Sequence, residues 1–316
     1  MMAAKTSKSS PVVAAVVRST IRGLGRLSLP NARRLGRGIG ALLWRVPNQF
    51  RDASLRNVRR CFPELGEEDQ RRIVRDSLIS TGLNVVEAGA MFHGSAEQLQ
   101  ELEEEVVGSD ILDAAVARGR GVLALGPHLG NWEYLSHAIA RGWGLVGLYR
   151  PPRIAELDTY LRQSRERLGT EMLPATGSGL RRLVRVLKEG GVVGILPDQE
   201  PLKGAGVFAP FFGVSALTMT LVGSLVRRFD AAVVIGWAER TESGRFRIHI
   251  EKGPAGLGDP DPVRAATRLN LGVEQCVRKT PEQYTWSYRR FRTRPGEELA
   301  ARAAGSDSTG PTTAAG

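Results

Sequence analysis

Residues 121–133, GVLALGPHLGNWE, decide how this chain reads. The apolar run 121–126 has the length and composition of a short strand. A helix is expected over 131–140, opened by Asn131. His128 falls in the bend and Glu133 in the first helical turn, so the bend can return the carboxylate to the imidazole. A carboxylate on one ring nitrogen fixes the tautomer and raises the basicity of the other. That other nitrogen can then take a proton from an alcohol as its oxygen attacks a thioester carbonyl. No serine or cysteine lies beside the pair, so direct transfer is simpler than a covalent relay. The helix start near Gly130 and Asn131 offers N–H groups and positive potential to either an oxyanion or a phosphate. A histidine before a helix and a first-turn glutamate also arise from helix electrostatics alone, a rival to the chemical reading that these residues by themselves leave open.

Outward from this point the pattern changes on either side. Helical periodicity dominates 13–118, with long helices expected over 67–91 and 95–117. From 119 to 298 short apolar runs alternate with amphipathic segments. Strands are expected at 121–126, 145–149, 191–197, 231–237 and 245–251, and helices at 154–168, 179–188, 217–227 and 261–279. The fold class is therefore α/β, a mainly parallel central sheet flanked by helices, preceded by an N-terminal helical region. The ends, 1–12 and 299–316, read as disordered tails.

Polar residues recur just past the carboxyl ends of these strands: His128, Arg150 and Asp198. Open α/β sheets place ligands there. Arg150, stiffened by Pro151–Pro152, can hold a phosphate or carboxylate with its donor fork. Arg162 and Arg165 add positive charge for an acidic carrier or an anionic lipid. Asp198 either orients Arg150 or a substrate, or simply forms a polar turn with Gln199. The segment GVFAPFFG, 206–213, either lines an acyl channel through Phe208, Phe211 and Phe212 or packs into the core, with Leu217, Met219, Leu221 and Val222 continuing the same wall. His93, His137 and His249 read as structural.

The net charge of +11 is unevenly placed. Residues 1–60 hold thirteen of the 44 basic residues and one of the 33 acids, so the positive charge belongs to the N-terminal arm. There Leu24, Leu27, Leu35, Ile39, Leu42 and Trp44 interleave with Arg22, Arg26, Arg33, Arg34, Arg37 and Arg45, the mixture of an interfacial helix on an anionic membrane surface. An amphipathic helix packed on the domain is the alternative. Apolar runs in the arm stop far short of the ~20 residues that span a bilayer, and no signal peptide is evident. A basic nucleic-acid-binding protein is the distant alternative, but no aromatic residues are interleaved for stacking and no recognition module is present, so no nucleic acid is expected. Cys61 and Cys276 have neither metal-ligand nor disulfide-scaffold spacing, so no metal is expected.

Several blocks in order resemble one family: Asn57 to Pro63 (NVRRCFP), His128 to Glu133 (HLGNWE), Tyr149–Arg150–Pro151, LPDQ at 196–199, GVFAPFFG at 206–213, PEQYTW at 281–286 and RRFRTRPG at 289–296. From about Leu35 to Pro295 the chain is similar to the bacterial lipid A biosynthesis (lauroyl/myristoyl) acyltransferases, within the lysophospholipid acyltransferase superfamily. The resemblance implies a glycerolipid acyltransferase-like fold, His128 and Glu133 as the catalytic pair with His128 as general base, and Arg150 and Asp198 on the active-site surface; Asn131 and Gln199 are further substrate-binding candidates. It implies transfer from an acyl carrier protein, or coenzyme A, to a lipid hydroxyl, without a further cofactor. The expected acceptor is a lipid A precursor, with a phospholipid, ornithine lipid or other glycolipid as the alternative. A monomer attached peripherally to the cytoplasmic face of the bacterial inner membrane is expected. Two departures stand out: arginines break the region where relatives carry a spanning anchor, and Tyr288 stands where a histidine is common.

Overall fold

The computed structural model describes residues 11–152 and 154–296; the expected tails lie outside the described residues, apart from Pro11 and Val12, which begin the first helix. A helical layer comes first: α1 (Pro11–Leu24), α2 (Leu29–Arg45), α3 (Gln49–Cys61), α4 (Glu67–His93) and α5 (Ala96–Gln100). Strand β1 (Glu103–Val107) and α6 (Ser109–Ala117) lead into β2 (Val122–Leu125), α7 (Trp132–Trp143), β3 (Leu145–Tyr149), α8 (Ala155–Glu166), β4 (Thr170–Pro174), α9 (Gly177–Lys188) and β5 (Val192–Ile195). A hairpin of β6 (Gly206–Phe211) and β7 (Val214–Met219) is followed by α10 (Leu221–Phe229), β8 (Ala232–Arg240), β9 (Phe246–Lys252) and α11 (Pro262–Lys279).

Seven strands form one sheet in the order β1-β9-β8-β2-β5-β3-β4. The expected α/β class is present, but the sheet is mixed: β8 returns antiparallel into β9, and β1 joins β9 in parallel. The turn between β8 and β9 is too short for a crossover helix, which forces the antiparallel pairing. Strand β1 lies inside the helix expected over 95–117. Its three glutamates read as a polar helix face, yet at the sheet edge Glu104 and Glu105 each meet Arg247 of β9 at 2.9 Å. The helix expected over 217–227 is α10, and Leu217 and Met219 instead belong to the hairpin.

Side chains alternate across the central strands. Leu123, Leu125, Val193 and Ile195 point into one core with α11 and the aromatic hairpin. Val122, Ala124, Val192 and Leu145 point into the other, beneath α6 and α7.

The arm is fastened by backbone contact. Gly36 and Gly40 lie one turn apart on α2 and meet α4 around Gly82. A Cβ on Gly40 would stand 2.4 Å from Ile79 Cα, and one on Gly82 2.3 Å from the Gly36 carbonyl oxygen. Close approach of this kind leaves the other face of α2 outward, with Leu35, Leu42 and Val46 exposed beside Arg34, Arg37 and Arg45. Among the described residues no helix is long and apolar enough to cross a membrane. Gly40→Val forces these backbones apart, and a loss of about 1–3 kcal/mol or more is expected in denaturant unfolding; unchanged stability would mean that the two helices do not meet this closely.

Candidate active site

Strands β2 and β5 run parallel and in register, Leu125 opposite Ile195. Each chain leaves its strand through one residue and a proline, Gly126–Pro127–His128 and Leu196–Pro197–Asp198. Proline ends a central strand because it cannot donate to the ladder. Equal steps from paired residues therefore bring His128 and Asp198 side by side. His128 Nδ1 lies 2.8 Å from Asp198 Oδ1, and the His128 backbone N–H donates to Oδ2 at 3.0 Å. Tyr284 supplies a further side-chain hydrogen bond to the same carboxylate. Burial would push the Asp198 carboxyl up, but the imidazole and these hydrogen bonds outweigh it and hold the group below its ordinary range.

With Nδ1–H directed at Asp198, Nε2 is left as the acceptor. Its neighbour is the Gln199 side-chain amide, at 3.1 Å. The Trp132 ring packs against the imidazole with centroids 4.9 Å apart.

The turn carrying His128 is tied on both sides. Thr285 N–H donates to the His128 carbonyl at 3.0 Å, Gly130 N–H to Gln283 O at 3.1 Å and Asn131 N–H to Ala238 O at 2.9 Å. Gly130 has φ +61°, and a Cβ there would stand 1.9 Å from the Ala238 oxygen, so only glycine fits.

Glu133 does not serve as the imidazole's hydrogen-bond partner, in contrast to the contact expected from sequence. Helix α7 begins at Trp132, and from its first turn the Glu133 side chain reaches across to α8. It accepts two hydrogen bonds from Arg165, Nε–Oε2 at 2.9 Å and Nη2–Oε1 at 2.5 Å. Burial pulls the Arg165 guanidinium down, but the Glu133 carboxylate outweighs it and the group stays charged. Arg165 also lies over the Phe92 ring, 5.8 Å from its centroid. Asp198 makes the contact to the imidazole that sequence proximity gave to Glu133, and its bonds run to His128 rather than to Arg150.

A cavity of about 780 Å³ opens at these groups and runs between the sheet and helices α4, α7 and α8. His128, Glu133, Arg165 and Gln199 line its polar part. Deeper in, Gly194, Gly147 and Met172 stand in one row across β5, β3 and β4. A Cβ on Gly147 would meet Met172 Sδ at 3.0 Å and one on Gly194 would meet Leu145 Cδ1 at 3.1 Å. Both glycines line the cavity with their neighbours already close, and Met91, Phe92, Leu161 and Leu168 line it as well.

Arg150 is exposed on the cavity lining and has no hydrogen-bonding or ion-pair partner among the described residues. Arg162 is paired with Glu166 at 2.9 Å and is not on the cavity wall. Asn131 is buried and caps α7, accepting from Tyr134 N–H at 2.9 Å, so it does not face the cavity. Phe211 and Phe212 sit in an aromatic cluster with Phe62, Trp286 and Phe291, and Phe208 is half-buried in β6; none of the three lines the cavity. Met219 and Leu221 do line it. His93 bonds Tyr160 and His249 bonds Glu239, while His137 is buried in α7 on the cavity's inner side. Tyr288 also borders the cavity, and its hydroxyl accepts the Glu200 backbone N–H at 3.0 Å.

Cys61 and Cys276 are free and buried. Burial raises both thiols, Cys276 to about 12 and Cys61 further still, so neither supplies a thiolate at neutral pH. Native protein treated with N-ethylmaleimide should show both thiols unmodified by mass spectrometry; rapid labelling of either would contradict its placement.

Residues 4–293 match the family described as bacterial lipid A biosynthesis acyltransferase. A lipid A biosynthesis lauroyltransferase of Escherichia coli (strain K12) is 28% identical over 272 residues, 85% of this chain and 88% of that one. A lipid A biosynthesis palmitoleoyltransferase of the same strain is 27% identical, covering 83% and 85%. A lipid A biosynthesis acyltransferase of Haemophilus influenzae is 29% identical over 278 residues, covering 86% and 88%.

Proposed function

Since the chain belongs to the bacterial lipid A biosynthesis acyltransferase family and is an O-acyltransferase, we propose that it moves a fatty acyl group from acyl carrier protein to a hydroxyl of a lipid A precursor, with His128 as general base. The observation that carries this reading is the His128–Asp198 pair at the polar end of a deep, largely apolar cavity.

Asp198 holds Nδ1–H, so Nε2 is the nitrogen that takes the acceptor's proton. The Gln199 amide stands where the acceptor hydroxyl must come and gives way to it. The hydroxyl oxygen attacks the thioester carbonyl carbon as its proton passes to Nε2, and the carbonyl oxygen becomes an oxyanion. Collapse of this intermediate breaks the C–S bond, and the departing sulfur takes the proton back from Nε2. An ester and a free thiol result, and no covalent enzyme intermediate is needed.

Glu133 acts through Arg165. The bidentate pair fixes a guanidinium on the cavity wall beside the reacting groups, where its charge favours the developing oxyanion. Arg150, exposed on the cavity lining, meets an acceptor phosphate. The thioester's chain lies along the row formed by Gly194, Gly147 and Met172, which the cavity leaves open. The exposed apolar and arginine face of α1 to α3 seats the enzyme peripherally on the anionic cytoplasmic face of the inner membrane, where both lipid acceptor and carrier protein can reach the site.

In a purified transfer assay, His128→Ala and Asp198→Asn should each lower kcat by about 10²–10⁴-fold. Glu133→Gln and Arg165→Met should each lower it too, with the double variant no worse than the poorer single one, because neither acts without the other. Full activity in Asp198→Asn would remove the assigned partner. Mass spectrometry of lipid extracts from cells with and without the gene should show lipid A lacking one secondary chain; intact lipid A with another lipid short of a chain would replace the acceptor.

Gly147→Val and Gly194→Val fill the cavity floor and should shift donor preference to chains shorter by about two to four carbons, at ~0.8 kcal/mol per methylene no longer accommodated. Met172→Ala should shift it to longer chains. Unchanged preference in all three would place the acyl chain elsewhere.

A further inference from the structure

Glu87 of α4 is fully buried, and both of its carboxylate oxygens are engaged. Oε1 accepts from Arg33 Nε of α2 at 2.7 Å. Oε2 accepts from Arg240 Nε at 2.8 Å and from Asn131 Nδ2 at 2.9 Å. Burial pushes the Glu87 carboxyl up, but Arg240 and Arg33 outweigh it and keep the group ionised.

The same carboxylate reaches the turn at His128 by two routes. One is direct, through Asn131. The other passes through Arg240, whose backbone exchanges two hydrogen bonds of 2.9 Å with the Gln283 side chain, while Gln283 O receives Gly130 N–H at 3.1 Å. A buried ionic cluster is weak evidence for stability, since apolar packing can serve as well. What it provides here is direction. Asn131 divides its side chain: Oδ1 caps α7 and Nδ2 binds Glu87. Serine or aspartate would cap as well; the amide is what reaches Glu87.

We propose that Glu87 is a positioning residue, holding the turn that carries His128 through Asn131 and making that placement depend on the seating of α2 through Arg33. This rests on the reading of His128 as general base. When α2 is displaced, Arg33 leaves one oxygen of a buried carboxylate, and the carboxylate shifts toward Arg240, drawing Asn131 with it. Transfer is thereby tied to the arm whose outer face is apolar and basic.

Asn131→Ser on the full chain separates the link from the cap. It should unfold near the wild-type midpoint, yet lower kcat by about tenfold to a hundredfold with the donor KM within about twofold. Glu87→Gln and Arg33→Met should lower kcat in the same way, and Asn131→Ser with Glu87→Gln should be no worse than the poorer single variant. Wild-type kcat in Asn131→Ser, or losses that multiply in the double variant, would overturn the proposal. Should Glu87→Gln fail to fold, Asn131→Ser carries the test alone. His128→Ala is assayed in parallel: retained activity there removes the general-base reading itself, whereas an inactive His128→Ala beside a fully active Asn131→Ser removes only the role of Glu87.

Discussion

Two parallel strands bonded Leu125 to Ile195 must release their chains side by side, and here both chains bend at a proline before presenting a polar residue. From that register follow the His128–Asp198 contact, the orientation of the imidazole and the position of the cavity mouth. A slip of one residue in either strand would turn its side chains to the opposite face and separate the pair. The site is therefore set by hydrogen bonding in the middle of the sheet, not by local chemistry in the 128–133 turn. The turn contributes restraint: Gly130 lies against Ala238, and the 283–285 segment bonds its backbone.

The cavity depends on the same sheet in a different way. Strands β5, β3 and β4 carry Gly194, Gly147 and Met172 in one transverse row, so the floor is backbone over two of its three positions. A protein interior ordinarily closes such gaps. Helix α8 leaves this one open: its Arg165 is drawn to Glu133 at the polar end, while Leu161 faces the apolar end. Polar and apolar ends thus arise from adjacent turns of a single helix.

Much of this was legible in the sequence. Periodicity and the alternation of apolar runs with amphipathic segments located β2, α7, β3, α8, β5, β8, β9 and α11, and placed His128, Arg150 and Asp198 just past the carboxyl ends of the strands. What misled was proximity along the chain. Glu133 lies five residues from His128, but α7 directs its side chain to α8. The signal for Asp198 was present in the matching proline-polar endings of two strands, and it becomes decisive only once their pairing is known. Strand β1 was hidden because Glu103 to Glu105 are polar in any window, and their value as a strand comes from Arg247 across the ladder. Phe211 and Phe212 read equally as channel wall or core, because hydropathy does not separate a cavity lining from a core. Gly147 and Gly194, which line the cavity, carry no hydropathy signal that would mark them.

Three carboxylates crowd the region, and each is matched to its own donors: Asp198 to His128 and Tyr284, Glu133 to Arg165, and Glu87 to Arg33, Arg240 and Asn131. Sorting matters because unmatched acids near one imidazole would compete for it, and a mispaired ring would present the wrong nitrogen. With each acid already engaged, the imidazole has a single carboxylate partner, and the tautomer with a free Nε2 is favoured. Arg165 does more than hold charge on the cavity wall: by occupying both oxygens of Glu133, it engages the nearest acid in sequence, which leaves Asp198 as the carboxylate that bonds the imidazole.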